Sequence, residues 1–346
     1  MSTSRALFLK EKFGAFEVGT KAIPTPGPGE ILVKEVAVGL NPVDWKIQAY
    51  GIFVSEFPAI LGSDAAGEVE AVGEGVTQFK KGDKVFHPGS LLGGSEYATF
   101  QEYVVVPADV VHKLPANITF EQAASLPLGI GTTVVPLYSP SPVGVGLKAP
   151  WDGGRGHYAG QPALIFGGAS SVGQYAIQFA KLSGFSPIIT TASLRNAELL
   201  KSIGATHVID RNTSVSSIAS EIARITTKPI SLVYDAVGAA ETQQLGYDTL
   251  TEGGHIVIVL QSSIKETPGS TKKIVGVFGN VQVPNNRALG RALAQNLSAL
   301  LEAGDIIPNP VEVVPGGLNG IVPGLEKMKN NLVSGKKLVV RLTETA

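Results

Sequence analysis

The strongest hydrophobic pattern of the chain lies in its middle, over residues 162–210. An unbroken apolar run at Ala163–Phe166 is typical of a strand that is buried on both faces of a parallel sheet. After a glycine-rich turn, apolar residues recur at helical spacing as far as Gly184, and a second apolar run follows at 188–191. The pattern therefore predicts a strand, a turn, a helix and a second strand in succession.

The turn at 167–173, Gly-Gly-Ala-Ser-Ser-Val-Gly, is the first candidate for a binding function. Glycines let backbone N–H groups approach a pyrophosphate, and the N-terminus of the following helix stabilises its charge. The turn departs from strict G-x-G-x-x-G, but its place between two buried strands favours a dinucleotide-binding unit over an ordinary turn in a ligand-free domain. The predicted cofactor-binding residues in it are Gly168, Ala169, Ser170, Ser171 and Val172.

Beyond this unit, apolar strand patterns keep alternating with helical ones as far as Gly304. Such alternation is typical of a doubly wound parallel sheet, which binds its ligand at the carboxyl ends of the strands. The predicted strands are 206–209, 230–235, 255–260 and 274–278, and the predicted helices are 195–203, 218–225, 240–250 and 287–303.

The first part of the chain, to about residue 125, has a different texture. Short apolar runs lie between turns rich in Gly, Pro and Asp, which is typical of a small barrel. Thr119 and Gln122 form a capping box and predict the start of a helix. The stretch 136–161 is rich in Pro and Gly and has no apolar period, so it is either a flank of the active site or a surface insertion.

The predicted fold class is α/β, with a β-barrel domain beside a doubly wound parallel-sheet domain. A length of 346 residues is enough for two domains. A helix at 321–333 and a strand at 337–342 end the chain, and we expect this strand to return to the first domain. The predicted domains are therefore residues 1–125, completed by 305–346, and residues 126–304.

Composition excludes several functions. A hydrophobic content of 44% and a formal net charge of -1 give no electrostatic case for a nucleic acid or an anionic membrane as partner. The chain has no cysteine, which removes disulfides, thiol catalysis and cysteine-based zinc sites. The opening MSTSRALFLKEKF lacks a secretory pattern and no apolar run is long enough for a bilayer, so we expect a cytoplasmic protein.

The end of the second strand of the glycine-turn unit predicts which nicotinamide cofactor is bound. An acidic residue there holds the ribose of NAD, whereas Arg and hydroxyl side chains accept the 2′-phosphate of NADP. The residues that can donate to this phosphate are Ser193, Arg195 and Asn196, and no carboxylate occurs before Glu198. Ser193 could equally be a helix N-cap, which is compatible with phosphate binding. The sequence therefore predicts NADPH.

Four further motifs complete the picture, and with the glycine turn they cover nearly the whole chain. The motifs are Asn-Pro-Val-Asp-Trp-Lys at 41–46, Leu-Gly-Ser-Asp-Ala-Ala-Gly at 61–67, Gly75 to Val85 with its Lys-Lys-Gly-Asp turn, and Ala-Ser-Leu-Pro at 124–127. The arrangement resembles the medium-chain dehydrogenase/reductase superfamily, with a GroES-like barrel domain and a Rossmann domain. The segments 167–171, 191–196 and 335–342 resemble its fungal zinc-independent branch, which includes trans-acting enoyl reductases and quinone oxidoreductases.

The departures from the zinc enzymes of that superfamily carry the functional prediction. Where those enzymes have a Cys and a His-Glu pair, this chain has Asn41 and Ser63-Asp64, and residues 89–99 lack the ligands of a structural zinc loop. The five histidines, His87, His112, His157, His207 and His255, stand singly and not at ligand spacing. We therefore expect no metal.

Without a Lewis acid, reduction of a simple carbonyl is harder than hydride addition to a conjugated alkene, whose charge spreads to a distant oxygen. The resemblance thus implies an NADPH-dependent reductase of an enone, an enal or an enoyl thioester, acting on a small molecule. The alternatives are a quinone reductase, a metal-free carbonyl reductase and, in another class, a non-catalytic NADPH-binding protein. A monomer and a homodimer are both compatible with the sequence, and a biosynthetic synthase as partner cannot be read from it.

The resemblance also implies individual site residues. Lys46, Tyr50 and Asn41 are the catalytic candidates: Lys46 holds an oxygen of the substrate or of the ribose, Tyr50 supplies a proton, and Asn41 orients the nicotinamide or a water. An ordinary surface lysine and a wall tyrosine are the competing interpretations. The further cofactor contacts that it implies are Val43, Asp44, Trp45, Lys46, Thr132, Arg211, Val257, Ile258, Val259, Phe278, Gly279, Val339 and Val340.

Overall fold

The computed structural model describes residues 2–92 and 94–345. Within them the strands are β1 Thr3–Leu9, β2 Phe16–Ala22, β3 Glu30–Gly39, β4 Ala59–Ile60, β5 Asp64–Val72, β6 Lys84–Pro88, β7 Tyr103–Pro107, β8 His112–Lys113, β9 Ala163–Phe166, β10 Ile188–Ala192, β11 His207–Asp210, β12 Ile230–Asp235, β13 Leu250–Ile258, β14 Lys273–Gly276, β15 Val311–Val314 and β16 Lys337–Arg341. The α-helices are α1 Pro42–Tyr50, α2 Phe120–Ala123, α3 Pro127–Tyr138, α4 Ser171–Ser183, α5 Ala197–Ser202, α6 Val215–Ile225, α7 Ala240–Thr249, α8 Pro284–Glu302 and α9 Leu318–Lys329. In this part of the chain we find no helix with the length and apolar character needed to cross a membrane.

The chain divides into two compact units. The first consists of Met1–Leu128, Asn280–Ala303 and Pro308–Ala346, and the second of Gly129–Gly279 and Gly304–Ile307. The sequence boundaries put α8 in the second domain, whereas the structure groups it with the first unit. The reason is a set of contacts that sequence does not show: Arg287 and Arg291 of α8 both bind the carboxylate of Asp109.

The second unit contains a six-stranded sheet in the order β11-β10-β9-β12-β13-β14, and every pair in it is parallel. β9 has the bounds that its apolar run predicts, and all four of its residues are buried. α4 ends at Gly184, which adopts φ +95, a conformation that glycine reaches without strain. The predicted doubly wound α/β architecture is confirmed.

The first unit contains two sheets, which are largely antiparallel. Three strands pair in the order β2-β1-β4, and seven form a second sheet in the order β15-β16-β3-β5-β6-β8 with β7 also paired to β3. β16, near the end of the chain, pairs antiparallel with β3 through Val339 and Gly39. A buried apolar cluster that includes Leu40, Ile47 and Leu338 lies under helices α1 and α9.

The structure contains elements that the sequence pattern does not predict, among them β2 and α3. β2 carries a half-exposed, mixed pattern and is held by its pairing with β1 over seven residues. α3 extends to Tyr138 through Pro136, because its apolar face is buried and outweighs the poor helix propensity of its Gly, Thr and Pro residues. The rest of the stretch 136–161 forms turns in which the ring of Tyr158 stacks on Phe185.

Candidate cofactor and catalytic sites

The glycine turn between β9 and α4 is organised by one serine. The Ser170 hydroxyl donates to the carbonyl of Gly167 at 2.8 Å and accepts from the N–H of Gly173 at 3.0 Å. It is therefore the N-cap of α4, and it fixes the direction in which the first turn of that helix points. Gly167 adopts φ +75, which explains why a glycine stands there.

Two further glycines make the turn narrow. A Cβ added at Gly168 would lie 2.2 Å from the Thr190 hydroxyl, and one added at Gly173 would lie 2.2 Å from the Gly167 carbonyl oxygen. These close approaches leave a cradle without large side chains at the N-terminus of α4, where backbone N–H groups favour an anion. The predicted residues 168–172 lie at this helix N-terminus, which suits the pyrophosphate of a dinucleotide.

The carboxyl end of β10 carries two exposed cations. Ser193 and Arg195 follow this strand directly, and the N–H of Arg211 donates to the carbonyl of Ala192 at 3.0 Å. Among residues 2–92 and 94–345, neither guanidinium pairs with a carboxylate. The carboxylate of neighbouring Asp210 accepts from the backbone and side-chain amides of Asn212, at 3.1 Å each. This end of the sheet therefore presents positive charge.

Two of the predicted cofactor residues, Thr132 and Gly279, lie against each other. The backbone carbonyl of Thr132 accepts from the hydroxyl of Tyr234 at 2.7 Å, and a Cβ at Gly279 would come within 2.7 Å of the Thr132 backbone nitrogen. Val257 and Ile258 lie at the end of β13 with their side chains buried, whereas Val259 beyond the strand is partly exposed. Phe278 is 49% exposed. The side chains of Val257 and Ile258 thus pack in the core.

Helix α1 carries two of the three catalytic candidates, Lys46 and Tyr50, one turn apart. The Lys46 ammonium lies 5.7 Å from the ring centre of Trp45, and the ring of Tyr50 meets the same indole edge-on at 5.8 Å. Lys46 is half-buried, and burial lowers the pKa of its ammonium. In the described residues neither this ammonium nor the Tyr50 hydroxyl has a hydrogen-bond partner, so both can donate to a ligand.

Asn41 precedes α1, and the structure gives it internal partners. Its Oδ1 accepts from the Lys337 ammonium at 2.6 Å, and its Nδ2 donates to Asp64 at 2.8 Å. The same ammonium donates to Asp64 at 2.7 Å. The carboxamide of Asn41 is buried and both of its polar atoms have protein partners, so Asn41 belongs to this network, and its part in orienting nicotinamide or a water stays a prediction.

Asp44 is fully buried one turn into α1. Its carboxylate accepts from the backbone N–H of Asn41 at 2.8 Å. Burial raises the pKa of Asp44 to about 7, and the nearby Asp64 adds to the rise. Val43 packs against the apolar core of the first unit, which includes Val340 of β16, and the neighbouring Val339 is also fully buried. The side chains of these four residues lie in the interior, and their assignment as cofactor contacts stays a prediction.

Lys337 is the site residue that sequence reasoning missed. It stands in a pair of lysines before an apolar strand, and no local pattern shows which of the two is buried. Its neighbour Lys336 is exposed and pairs with Glu312, whereas Lys337 is only 4% exposed in its side chain. The assignment comes from the tertiary structure alone.

The Asn41, Ser63 and Asp64 side chains do not make a zinc site. Zinc prefers thiolate, imidazole and carboxylate ligands in a tetrahedron, and of these three side chains only Asp64 supplies one, which already binds the Lys337 ammonium. Across residues 2–92 and 94–345 we find no group of three or more His, Cys, Asp or Glu side chains placed to hold a metal ion. The donor set therefore does not fit this metal.

Comparison with known proteins agrees with this architecture. The family model of the alcohol dehydrogenase GroES-like domain matches residues 27–116, and that of the zinc-binding dehydrogenase matches residues 171–279. The dehydrogenase pigH of Monascus ruber is 33% identical over 99% of this chain and 100% of its own. The chain belongs to the medium-chain dehydrogenase/reductase superfamily.

Two other relatives of this superfamily member add detail. The trans-enoyl reductase grgB of a Penicillium species is 31% identical over 98% of both chains. A crystal structure of an alcohol dehydrogenase superfamily protein from Novosphingobium aromaticivorans, 27% identical, covers 98% of this chain and 99% of that one with a TM-score of 0.81. Members of the superfamily are oxidoreductases that use a nicotinamide cofactor, and the cradle at 168–172 suits one.

Proposed function

We propose that this chain is an NADPH-dependent, zinc-independent reductase of an activated carbon–carbon double bond in a small-molecule enone, enal or enoyl thioester. The observation that carries the proposal is the pairing of Asn41 and Asp64 with Lys337. Asn41 and Asp64 stand at positions where zinc enzymes of the superfamily have metal ligands, and here their side chains are hydrogen-bonded to an ammonium. A reaction that needs little polarisation of a carbonyl fits such a site best.

The chemistry that the bound cofactor supplies is a hydride for the β-carbon of the substrate. The electron pair of the double bond then moves towards the carbonyl oxygen, and the Lys46 ammonium donates a hydrogen bond to that oxygen. A proton reaches the α-carbon from Tyr50 or from water. Lys46 suits its part because its ammonium is half-buried and unpaired by carboxylate.

The proposed preference for NADPH rests on the carboxyl end of β10. Arg195 and Arg211 are exposed there without carboxylate partners in the described chain, and Ser193 adds a hydroxyl. Charge-assisted hydrogen bonds from arginine suit a 2′-phosphate. The similarity to a protein named as a trans-enoyl reductase supports the reaction class independently.

The test is a product assay. The purified protein is given NADPH that carries deuterium at the nicotinamide C4, as the hydride to be transferred. Separate reactions contain an enal, a quinone, a simple aldehyde or an enoyl thioester. We expect label at the β-carbon of a saturated product. Label on the carbinol carbon of an allylic alcohol would establish carbonyl reduction. Consumption of NADPH with the quinone alone would establish a quinone reductase. Tight binding of NADPH without turnover of any substrate would establish a non-catalytic protein.

A further inference from the structure

The most deeply buried ion pair with a lysine in the described chain joins Lys337 to Asp64. The Lys337 ammonium donates to Asp64 at 2.7 Å, and the side chains are 4% and 0% exposed. Asn41 closes the triangle, since it accepts from Lys337 and donates to Asp64. The three residues come from β16, from β5 and from the position before α1, so one ammonium ties three separate segments together within the first unit.

The carboxylate in this triangle also holds backbone. The second oxygen of Asp64 accepts from the N–H of Leu128 at 2.5 Å, in the first turn of α3. Asn41 in turn fixes the first turn of α1, because its N–H donates to Asp44 and its carbonyl accepts from the Asp44 N–H at 3.1 Å. The ammonium therefore supports the beginnings of two helices through its two acceptors.

The buried negative charge of neighbouring carboxylates explains why a cation is needed beside Asn41. Asp44 and Asp64 are both fully buried, and one oxygen of Asp44 has no hydrogen-bond partner in the described residues. Buried carboxylates without a counter-charge are costly, and removing one member of a buried pair leaves the other uncompensated. Lys337 supplies the cation within hydrogen-bond distance of Asp64. Its neighbour Lys336 is exposed and pairs with Glu312 instead.

We propose that Lys337 is a positioning residue whose buried ammonium, through Asn41, holds the first turn of α1 and thereby sets where Lys46 and Trp45 stand. The consequence for catalysis rests on the proposed function, in which Lys46 donates to the substrate oxygen. The consequence for α1 does not, because it follows from the hydrogen bonds alone. The two consequences can be measured separately.

Trp45 provides a readout that needs no substrate. The chain has two tryptophans, so in a Trp151→Phe background the fluorescence reports α1 alone. Lys337→Met removes the charge and keeps most of the volume, and Lys336→Met is the matched control. We expect acrylamide quenching of Trp45 to rise about twofold in Lys337→Met, because the helix start opens locally, and to stay unchanged in Lys336→Met.

The kinetic arm compares the same variants with the substrate found by the product assay. Displacement of Lys46 should lower kcat on the order of a hundredfold in Lys337→Met, while KM for NADPH changes little. Raised quenching with unchanged kcat would keep the positioning role and overturn the assignment of Lys46 in the proposed function. Unchanged quenching would overturn the positioning role itself.

A second variant answers the question if Lys337→Met does not fold. Asp64→Asn keeps the shape of the side chain and removes the charge that holds the ammonium. If the ion pair positions α1, Asp64→Asn also raises the quenching of Trp45. Wild-type quenching in this variant would show that the neutral hydrogen bonds suffice and would refute the proposal.

Discussion

Lys46 combines partial burial with an ammonium that no carboxylate neutralises in the described part of the chain. If it donates to the developing oxyanion, Lys46→Ala should lower kcat by about a hundredfold or more, since one such donor is worth 10²–10³ in kcat. Steady-state kinetics check this, with Lys10→Ala, which removes an exposed pair with Glu17, as the control. A raised KM for NADPH with unchanged kcat would instead assign Lys46 to the ribose.

We expect Arg195, the arginine at the end of β10, to decide the cofactor preference. Arg195→Ala should weaken NADPH binding about tenfold, near 1.4 kcal/mol, and leave NADH binding nearly unchanged, because only NADPH carries the 2′-phosphate. Titration of both cofactors by fluorescence measures the two dissociation constants. Arg224→Ala, which removes another exposed arginine, should change neither, and equal losses for both cofactors in Arg195→Ala would give Arg195 a structural role.

Asp44 makes stability depend on pH. Its pKa is raised from an ordinary 3.8 to about 7, so the folded protein binds the extra proton between these values. The free energy of unfolding therefore falls as pH rises from 4 to 7, because the folded protein must give up this proton. The loss reaches about 4 kcal/mol, at about 1.36 kcal/mol for each unit by which the pKa is raised. Urea denaturation should show Asp44→Asn gaining stability relative to wild type over that window. A difference that does not vary with pH, as expected for exposed Asp248→Asn, would contradict the raised pKa.

At the scale of elements, the turn before α4 depends on the closeness of two backbones. Gly173→Ala places a methyl group 2.2 Å from the Gly167 carbonyl oxygen, so the turn must open. Overpacking of this kind costs about 1–3 kcal/mol, and the shifted N–H groups should also weaken cofactor binding. Gly276→Ala in β14 is the control, since its Cβ meets nothing within 4 Å. Denaturation and cofactor titration should be near wild type for it, and a Gly173→Ala protein that also matched wild type would refute the close approach.

At the scale of the whole molecule, the donor set predicts independence from zinc. The protein should purify with less than stoichiometric zinc and keep its activity after dialysis against a chelator, because Lys337 occupies the side chains of Asn41 and Asp64. Elemental analysis beside the activity assay measures both. One zinc per chain, lost together with activity on chelation and restored by added metal, would contradict this.

The sequence alone determined the architecture of the second unit, because its signals are local. An apolar run buried on both faces, apolar residues at helical spacing and a glycine past the helix end are read within a few residues of one another. The same locality identified the glycine turn and the absence of an acidic residue after β10. These features follow from backbone conformation and hydrophobic periodicity, which neighbours along the chain decide.

Only the tertiary structure decided which polar residues of the first unit are buried and which partners their side chains have. Lys337 and Asn41 are 296 residues apart in sequence, and nothing local shows that their side chains meet. Strand pairing brings β16 beside β3 and so carries the lysine to the start of α1. Whether a carboxylate such as Asp64 is buried or exposed depends on what packs over it, and desolvation then makes a distant cation its necessary partner.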